Sequence, residues 1–166
     1  TPPEGIFYNR MSASSHSRGH RYAPENTKNL LSWLEKKNKR VINNSRALEL
    51  EISKKVQYEE LKKFDIKFPK TYYASNKKEI IEKSKNFTKP FITKHNRGGK
   101  GLGVKYFENT SSLKEYVNNS FEDSIDGITL LQEYISSDPQ VITRVEFVNR
   151  KFLYAVQVDA SDGFEL

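Results

Sequence analysis

A short glycine-rich segment holds the densest group of residues that could do chemistry in this sequence. From position 94 to position 104 the chain reads KHNRGGKGLGV, with four glycines and three cationic side chains. Glycine lets backbone N–H groups approach an oxyanion because no Cβ stands in the way, and lysines add charge that backbone dipoles alone do not supply. The segment predicts a phosphate-binding loop, with the candidate ligands Lys94, Gly98, Gly99, Lys100, Gly101 and Gly103.

The loop differs from the common phosphate-binding motifs. Gly101 is followed by Leu102 and Gly103, so the Gly-Lys-Ser/Thr ending of a P-loop is missing. It joins two predicted strands, whereas a dinucleotide fingerprint leads from a strand into a helix. The His-Arg-Asp and Asp-Phe-Gly motifs of protein kinases do not occur either. A glycine-rich β-hairpin that folds over phosphates fits the pattern, and the alternative is a hairpin tip whose glycines serve only the turn.

Hydrophobic periodicity predicts the elements that position this loop. The predicted helices span 24–37, 45–50, 53–64, 77–85 and 113–118, and the predicted strands span 5–8, 41–42, 70–73, 90–94, 103–107, 128–135, 141–148 and 151–158. The polar, serine-rich residues 9–20 are predicted to form a loop. The order β, α, β, α at the start indicates half of an open α/β layer, and the second half is strand-rich, so the predicted fold class is α/β (α+β).

The predicted helices carry three local details. Ser45 is the predicted cap of the second helix. Ser112, followed three residues later by a glutamate, matches a capping box before the fifth. Val56, Leu61 and Phe64 are predicted to share one face of the third helix.

Composition restricts the class of protein. The chain has 166 residues, of which 36% are hydrophobic and 30% charged, enough for a packed core in water. No apolar run approaches the roughly 20 residues that a membrane-spanning helix needs, so we expect a soluble protein. Cysteine is absent, which excludes disulfides and thiolate metal sites and favours the cytoplasm. The sequence starts without Met and stops just after a strand-like run, so we expect a fragment.

Positive charge is concentrated in the middle of the chain. The net charge is +7, and the segment 54–105 holds 15 Lys or Arg against 5 Asp or Glu. A local excess of this kind attracts polyanions, either nucleic acid or the phosphates of a nucleotide. The alternative is that most of these lysines only solvate an exposed surface.

Four segments, in order, resemble those of the ATP-grasp superfamily, and most closely its RimK-like ligases. They are SKKVQYEELKKFDIKFPKT, KPFITKHNRGGKGLGV, LLQEYI and ITRVEFVNRKFLYAVQVD. The resemblance begins at about Asn43, and the earlier YNRMSASSHSRGH is similar to the loop that precedes the ATP-binding region in these ligases. It implies the end of a pre-ATP-grasp domain at 1–52, a small nucleotide-clamping lobe at 53–135 and the first strands of a large catalytic lobe at 136–166.

The resemblance implies roles for residues outside the glycine loop. Lys54 would join Lys94 in binding the phosphates, although the residue before it is a serine where the family usually has Asp or Asn. The segment that joins the two lobes would line the adenine, and it consists of Gln132, Glu133, Tyr134 and Ile135. The last three would act through their backbone, and the alternative for Glu133 is an ordinary strand carboxylate.

Four more residues receive candidate roles from the resemblance. Asp138 is a candidate for the ribose hydroxyls, and Arg144 is a catalytic candidate that would face the phosphates. Arg10 and Arg18 would hold a substrate carboxylate in a bidentate manner. The alternative for both arginines is a structural role in a serine-rich loop.

The resemblance implies an ATP-dependent carboxylate–amine ligase for the intact protein. Its acid substrate would attack the γ-phosphate of ATP to form an acylphosphate, and an amine would then displace phosphate. Mg²⁺ is the second expected cofactor, with ligands expected beyond Leu166, so the fragment is expected to be inactive alone. The expected partners are ATP and small-molecule or peptide carboxylate and amine substrates.

Two other functions stay open on the sequence. A basic nucleic-acid-binding module is consistent with a pI near 9.4 and with nine tyrosines. The tyrosines are not interleaved with basic residues as on a stacking platform, so nucleic acid is not the expected partner. The third function is a noncatalytic partner-binding domain.

Overall fold

Three β-sheets follow one another along the chain, which the computed structural model describes over residues 1–99, 101 and 103–161. The first sheet has two strands, the second has four and the third has two. The predicted α/β (α+β) class is confirmed. The sheets fall within the predicted regions 1–52, 53–135 and 136–166, whose boundaries stay a proposal. Residues 162–166 of the third region lie outside the described residues.

The first sheet is a parallel β-α-β unit. Strand β1 (Ile6–Tyr8) pairs in parallel with β2 (Arg40–Ile42), and helix α1 (Ala23–Lys36) connects them. Parallel neighbours need such a crossover, since a tight turn cannot join them. Helix α2 (Ser45–Ile52) follows β2. The buried leucines of the two helices are Leu31, Leu34 and Leu48.

The serine-rich segment after β1 is not the loop that the sequence predicted. A 3₁₀ helix spans Ala13–Arg18. The Ser12 hydroxyl accepts a hydrogen bond from the Ser14 amide at 3.3 Å at its start, and Gly19, with φ of 80°, ends it. Short polar side chains supply such local bonds without any hydrophobic periodicity, so the pattern did not predict this element.

Asparagine caps two helices where the sequence predicted serine. Asn44 accepts from a backbone amide in the first turn of α2 at 3.0 Å. Asn109 accepts from two amides of helix α5 (Thr110–Asn119) at 2.9 and 3.0 Å. The predicted caps, Ser45 and Ser112, lie inside the helices because an asparagine upstream already binds the free N–H groups.

The second sheet has the strand order β3, β6, β4, β5, and all its neighbouring strands are antiparallel. Its strands are β3 (Thr71–Ala74), β4 (Phe91–His95), β5 (Lys105–Phe107) and β6 (Thr129–Glu133). The other helices of this region are α3 (Lys54–Lys63) and α4 (Lys77–Ser84). No helix within the described residues is both long enough and apolar enough to cross a membrane.

Helices α4 and α5 cover one face of this sheet with an apolar core. Its fully buried side chains include Ile80, Phe91, Leu113, Val117 and Leu131. Burying each large apolar side chain stabilises the fold by about 1.5–3 kcal/mol. This core fixes the sheet on which the candidate residues lie.

Helix α3 lies on the opposite, more polar face of the sheet. None of its residues is fully buried, and Phe64, just after its end, is 69% exposed. Phe64 therefore lies after the end of the helix whose face it was predicted to share. Helix α3 packs against polar side chains such as Lys94 and Gln132 rather than against the apolar core.

The third sheet is a hairpin of β7 (Val141–Val148) and β8 (Lys151–Asp159). Its turn residues, Asn149 and Arg150, have φ of 48° and 64°, and a type I′ turn requires positive φ at both positions. Many apolar side chains of this hairpin are exposed, among them Phe147.

Candidate nucleotide-binding site

Lys94 lies on β4 and points away from the apolar core. Side chains alternate along a strand, so Phe91 packs into the core while Lys94 projects from the other face. The Lys94 ammonium group donates to Gln132 Oε1 at 2.7 Å and to the Tyr58 hydroxyl at 2.9 Å. It also lies 5.5 Å from the centre of the Tyr58 ring, within cation–π range. These contacts hold the ammonium group in one place.

Tyr58 is a site residue that the sequence analysis missed. Its hydroxyl also accepts from Gln132 Nε2 at 3.1 Å, and its ring stacks on Phe68 with centroids 4.9 Å apart. Tyr58 follows Lys54 by four residues on α3, so both side chains project from the same side of the helix. That spacing is the signal that could have identified it.

Lys54 begins α3 and reaches the glycine-rich loop. Its ammonium group donates to the carbonyl of Gly98 at 2.5 Å, and its backbone N–H donates to the carbonyl of Asn96 at 3.3 Å. Burial, helped by the nearby charge of Lys94, lowers the pKa of Lys54 to about 8. Ser53 caps α3, so the residue that departs from the family pattern has a structural role here.

The two lysines and the loop surround one small cavity of about 80 Å³, which we call the phosphate cavity after its predicted ligand. It is lined by Lys54, Lys94, His95, Gly98, Gly99, Gly101 and Val104. Two cations beside one cavity repel each other, and an anion between them relieves that repulsion. The volume suits a phosphate group rather than a whole nucleotide.

The need for glycine in the loop differs between positions. Gly101 and Gly103 have φ of 76° and 77°, where side chains with a Cβ are strained. A Cβ on Gly103 would also lie 3.2 Å from the His95 ring. At Gly99 a Cβ would meet nothing within 4 Å, so any need for glycine there comes from a ligand. Lys100 lies outside the described residues.

Asn96 anchors the start of the loop. It is 2% exposed, and its side-chain nitrogen donates to Asp126 Oδ2 at 2.6 Å. Its side-chain oxygen accepts from the Lys55 amide at 2.8 Å, and its own amide donates to the Ile128 carbonyl at 3.0 Å. Asn96 thus connects the base of the loop to α3 and to the segment before β6. The glycines follow these anchored residues, and their backbone has more conformational freedom.

Arg97 connects the loop to the first region of the chain. It is 5% exposed, and its Nη2 atom donates to the Arg21 carbonyl at 2.9 Å. Its guanidinium group also forms an ion pair with Glu25, where the hydrogen bond lowers the pKa of the Glu25 carboxyl. The sequence analysis missed this link, since Arg97 and Glu25 are 72 residues apart.

The backbone at the end of β6 is already bonded to the residues that directly precede β3 and β4. The Glu133 amide donates to the Lys70 carbonyl at 3.0 Å, and the Tyr134 amide donates to the Pro90 carbonyl at 3.1 Å. The Glu133 carboxylate accepts from the Lys70 amide at 2.7 Å. Backbone contacts with an adenine would therefore have to use the carbonyl groups of Glu133 and Tyr134 or the amide of Ile135. These contacts stay a prediction.

Among the described nucleotide-binding and catalytic candidates that do not line the cavity, three are also exposed. Ile135 is 65% exposed, and Asp138 is exposed as well. Arg144 is exposed on β7, where it pairs with Val156 of β8. The structure does not bring these residues to the two lysines, so their roles stay predictions.

Arg10 and Arg18 share a larger cleft, which we call the N-terminal cleft, at the end of β1. It has a volume of about 640 Å³. Its walls are Phe7, Tyr8, Asn9, Arg10, Met11, Ser12, Ser15, Arg18, His20, Ala23, Thr27, Leu30, Leu31 and Leu34. Both arginines are exposed, and Arg18 Nη1 donates to the Ser14 hydroxyl at 3.2 Å. The structure thus brings the two predicted substrate ligands together, apart from the phosphate cavity.

The described residues do not form a metal site. Among them, no three or more His, Asp or Glu side chains come together in a way that could hold a metal ion. Mg²⁺ prefers several oxygen ligands around one point, and the described side chains that line the phosphate cavity include two lysines and no carboxylate. This part of the chain therefore does not fit Mg²⁺ ligation.

Comparisons with known proteins give the family and the fold of this chain. A family model described as a RimK-like ATP-grasp domain matches residues 35–164. A comparison with curated proteins found no match. The solved structure of the RimK domain protein ATP-grasp from Sphaerobacter thermophilus DSM 20745 has a TM-score of 0.60 and 17% identity, over 82% of this chain and 52% of that chain.

Two further solved structures have the same fold. D-alanyl-alanine synthetase A from Vibrio cholerae O1 biovar eltor str. N16961 has a TM-score of 0.60 and 16% identity, over 82% of this chain and 42% of that chain. N5-carboxyaminoimidazole synthetase from Staphylococcus aureus, complexed with ADP, has a TM-score of 0.56 and 18% identity, over 78% of this chain and 35% of that chain. The chain spans about half or less of the length of these structures. Because the family model covers most of its residues, the chain belongs to the RimK-like ATP-grasp family.

Proposed function

We propose that this chain is the ATP-binding portion of an ATP-dependent carboxylate–amine ligase. The observation that carries the proposal is the cavity where Lys54, Lys94 and the backbone of the glycine-rich loop meet. Cations from two different elements neutralise the charge of adjacent phosphates, and the loop covers them and excludes water. The ADP bound to the Staphylococcus aureus relative supports a nucleotide as the ligand.

The proposed reaction forms a C–N bond in two steps. A carboxylate oxygen attacks the γ-phosphorus of ATP, the bond to the β-phosphate oxygen breaks, and an acylphosphate and ADP result. An amine nitrogen then attacks the acyl carbon, phosphate leaves and the amine loses a proton. In this scheme the protein mainly positions the reactants and stabilises charge.

The remaining candidate ligands are part of the same proposal. Gln132 would act through the side-chain network that holds Lys94, and Ile135 would contact the adenine through its backbone. Asp138 would bind the ribose, and Arg144 would face the phosphates. The proposal includes Mg²⁺, which supplies charge neutralisation between the β- and γ-phosphates, with ligands from outside the described residues. The absence of cysteine favours the cytoplasm as the place of this reaction.

Thermal unfolding in the presence of nucleotide tests the proposal. We expect Mg²⁺ with a nonhydrolysable ATP analogue to raise the melting temperature, because a ligand that binds only the folded state stabilises it. Lys94→Ala should abolish the shift. Lys89→Ala is the matched control, since Lys89 is exposed just before β4 and does not line the cavity. An unchanged melting curve for the unsubstituted chain, combined with salt-dependent binding to generic oligonucleotides, would replace this function by nucleic-acid binding.

A further inference from the structure

The N-terminal cleft combines an apolar wall with a cationic rim. Leu31 and Leu34, both buried, contribute to the wall together with Phe7. Two apolar side chains at the cleft are uncovered: Tyr8 is 63% exposed and Leu30 is 53% exposed. A volume of about 640 Å³ falls within the usual range for small-molecule sites. The apolar surface therefore offers a ligand an area to bury.

The charges that line this cleft are of one sign. Arg10 and Arg18 line it, and its lining residues, all within the described part of the chain, include no Asp or Glu. The adjacent cleft of about 420 Å³ differs, because Glu51 contributes to its lining. A guanidinium group has five N–H donors in a planar fork that matches a carboxylate. The N-terminal cleft thus favours an anion.

A buried hydroxyl group at the same cleft also lacks a partner. Ser15 lines the cleft and is 3% exposed. Its hydroxyl finds no hydrogen-bond partner among the described residues. Buried polar groups are nearly always hydrogen-bonded, so an unsatisfied one beside a cleft indicates a missing ligand or water.

The cleft adjoins the anchor of the glycine-rich loop. His20 and Ala23 line the cleft, and the carbonyl of Arg21, between them, accepts a hydrogen bond from Arg97 at 2.9 Å. Arg97 directly precedes the glycines of the phosphate cavity. A ligand in the cleft therefore lies beside the segment that positions the proposed nucleotide loop.

We propose that the N-terminal cleft is a binding site for a small monocarboxylate with an apolar or aromatic body. The carboxylate binds Arg10 and Arg18, and the body covers Leu30 and Tyr8. A dicarboxylate fits less well, because its second charge has no cationic partner on the apolar wall and loses hydration there. This carboxylate site does not depend on the proposed ligase function, because none of its lining residues lines the phosphate cavity.

A titration followed by two-dimensional NMR of the ¹⁵N-labelled chain tests this site with 3-phenylpropionate as the probe. We expect saturable shifts at amides around the cleft, from β1, the 3₁₀ helix and α1. Two matched probes separate the chemistry: 3-phenylpropanamide keeps the body but removes the charge, and succinate keeps the carboxylate but replaces the body with a second charge. Each should bind about tenfold more weakly or worse.

Three variants locate the site. Arg10→Gln and Arg18→Gln should each weaken 3-phenylpropionate binding about tenfold, the loss expected for one hydrogen-bonded charge. Arg40→Gln is the matched control, because Arg40 is exposed on β2 and is not among the cleft residues. The spectra of the free variants report on folding, so a loss of binding is separable from unfolding.

The outcomes distinguish this proposal from the proposed function. Equal affinity for the amide, tighter binding of succinate, or shifts away from the cleft would overturn the monocarboxylate site even if the ATP analogue raises the melting temperature. Conversely, specific 3-phenylpropionate binding without any nucleotide effect would retain the site and remove the ligase assignment.

Discussion

Two lysines share the phosphate cavity, and the surroundings of each determine its chemistry. Lys94 donates hydrogen bonds to Tyr58 and Gln132, which fix the position of its ammonium group. Lys54 is partly buried beside that charge, which lowers its pKa to about 8. A phosphate in the cavity raises the pKa of Lys54 again, because an anion favours the charged form of the amine. Binding and protonation are therefore linked at this residue.

We expect the affinity for a nonhydrolysable ATP analogue to fall as the pH rises above about 8. Without a ligand, the ammonium group of Lys54 loses its proton near that pH. At higher pH the amine must therefore take up a proton when the nucleotide binds, and the affinity falls by up to about tenfold per pH unit. Calorimetric titration between about pH 7 and about pH 9.5 measures the effect. The matched variant Lys54→Arg stays charged over this range and should show a flatter profile. An identical pH dependence for the two proteins would disprove the assignment to Lys54.

At the scale of elements, the β4–β5 hairpin combines a fixed base with a glycine-rich end. Asn96 connects the base to α3, and Arg97 connects it to α1. The glycines of the loop follow directly, so their backbone freedom begins where the side-chain anchors end. The anchors thus position the hairpin over the cavity, and they join the first two regions of the chain.

Glu25→Gln tests the anchor between α1 and the hairpin. We expect a loss of about 1 kcal/mol in the free energy of unfolding at neutral pH, below the cost for a fully buried pair because the Glu25 side chain is 50% exposed. The hydrogen bond from Arg97 lowers the pKa of the Glu25 carboxyl from its ordinary value. The ion pair therefore contributes fully to the free energy of unfolding above about pH 4.5, the ordinary pKa of a glutamate. This contribution is lost as the pH falls through the lowered pKa of Glu25.

Urea denaturation at several pH values measures this contribution. The difference between the unsubstituted chain and Glu25→Gln should shrink in acid. Glu108→Gln, at an exposed glutamate between β5 and α5, should show no such difference. Equal stability of Glu25→Gln and the unsubstituted chain at neutral pH would show that the ion pair does not anchor the hairpin.

At the scale of the whole molecule, the candidate residues form two separate sites and one exposed hairpin. The phosphate cavity belongs to the second region, and the N-terminal cleft belongs to the first. Arg144 lies on the third region, whose apolar side chains, including Phe147 and Phe152, are largely exposed. The described residues supply no metal site. Among the described residues, the groups that line the two candidate binding sites therefore lie in the first two regions of the chain.

We expect this 166-residue chain to bind the nucleotide without turning it over. Phosphate release from Mg-ATP, measured with and without small carboxylates and amines, should stay at the background rate. The physical reason is that phosphoryl transfer requires charge neutralisation at the γ-phosphate, and the described residues offer no metal ligands for it. Turnover that Lys94→Ala removes would contradict this expectation.

Local patterns in the sequence predicted much of the fold and part of the site. Alternation along residues 90–94 placed Lys94 on a strand, and the four glycines after it predicted a hairpin, because strand period and turn chemistry are local properties. The sequence segments also identified the family, which the comparison confirmed. Ser45 and Ser112 were wrong as caps, since neighbouring asparagines compete for the same N–H groups.

The contacts that give these residues their chemistry depend on the tertiary structure. Tyr58 meets Lys94 only when α3 packs on the sheet, and Arg97 meets Glu25 only when the first two regions are in contact. Partners 36 and 72 residues apart leave no periodic signal in the sequence. The sequence by itself therefore determined the family, and it predicted which residues could bind phosphate. Tertiary packing decided which of these side chains are buried and which lie next to one another. The physical reason is that the pKa and the orientation of a side chain depend on neighbours that are distant along the chain.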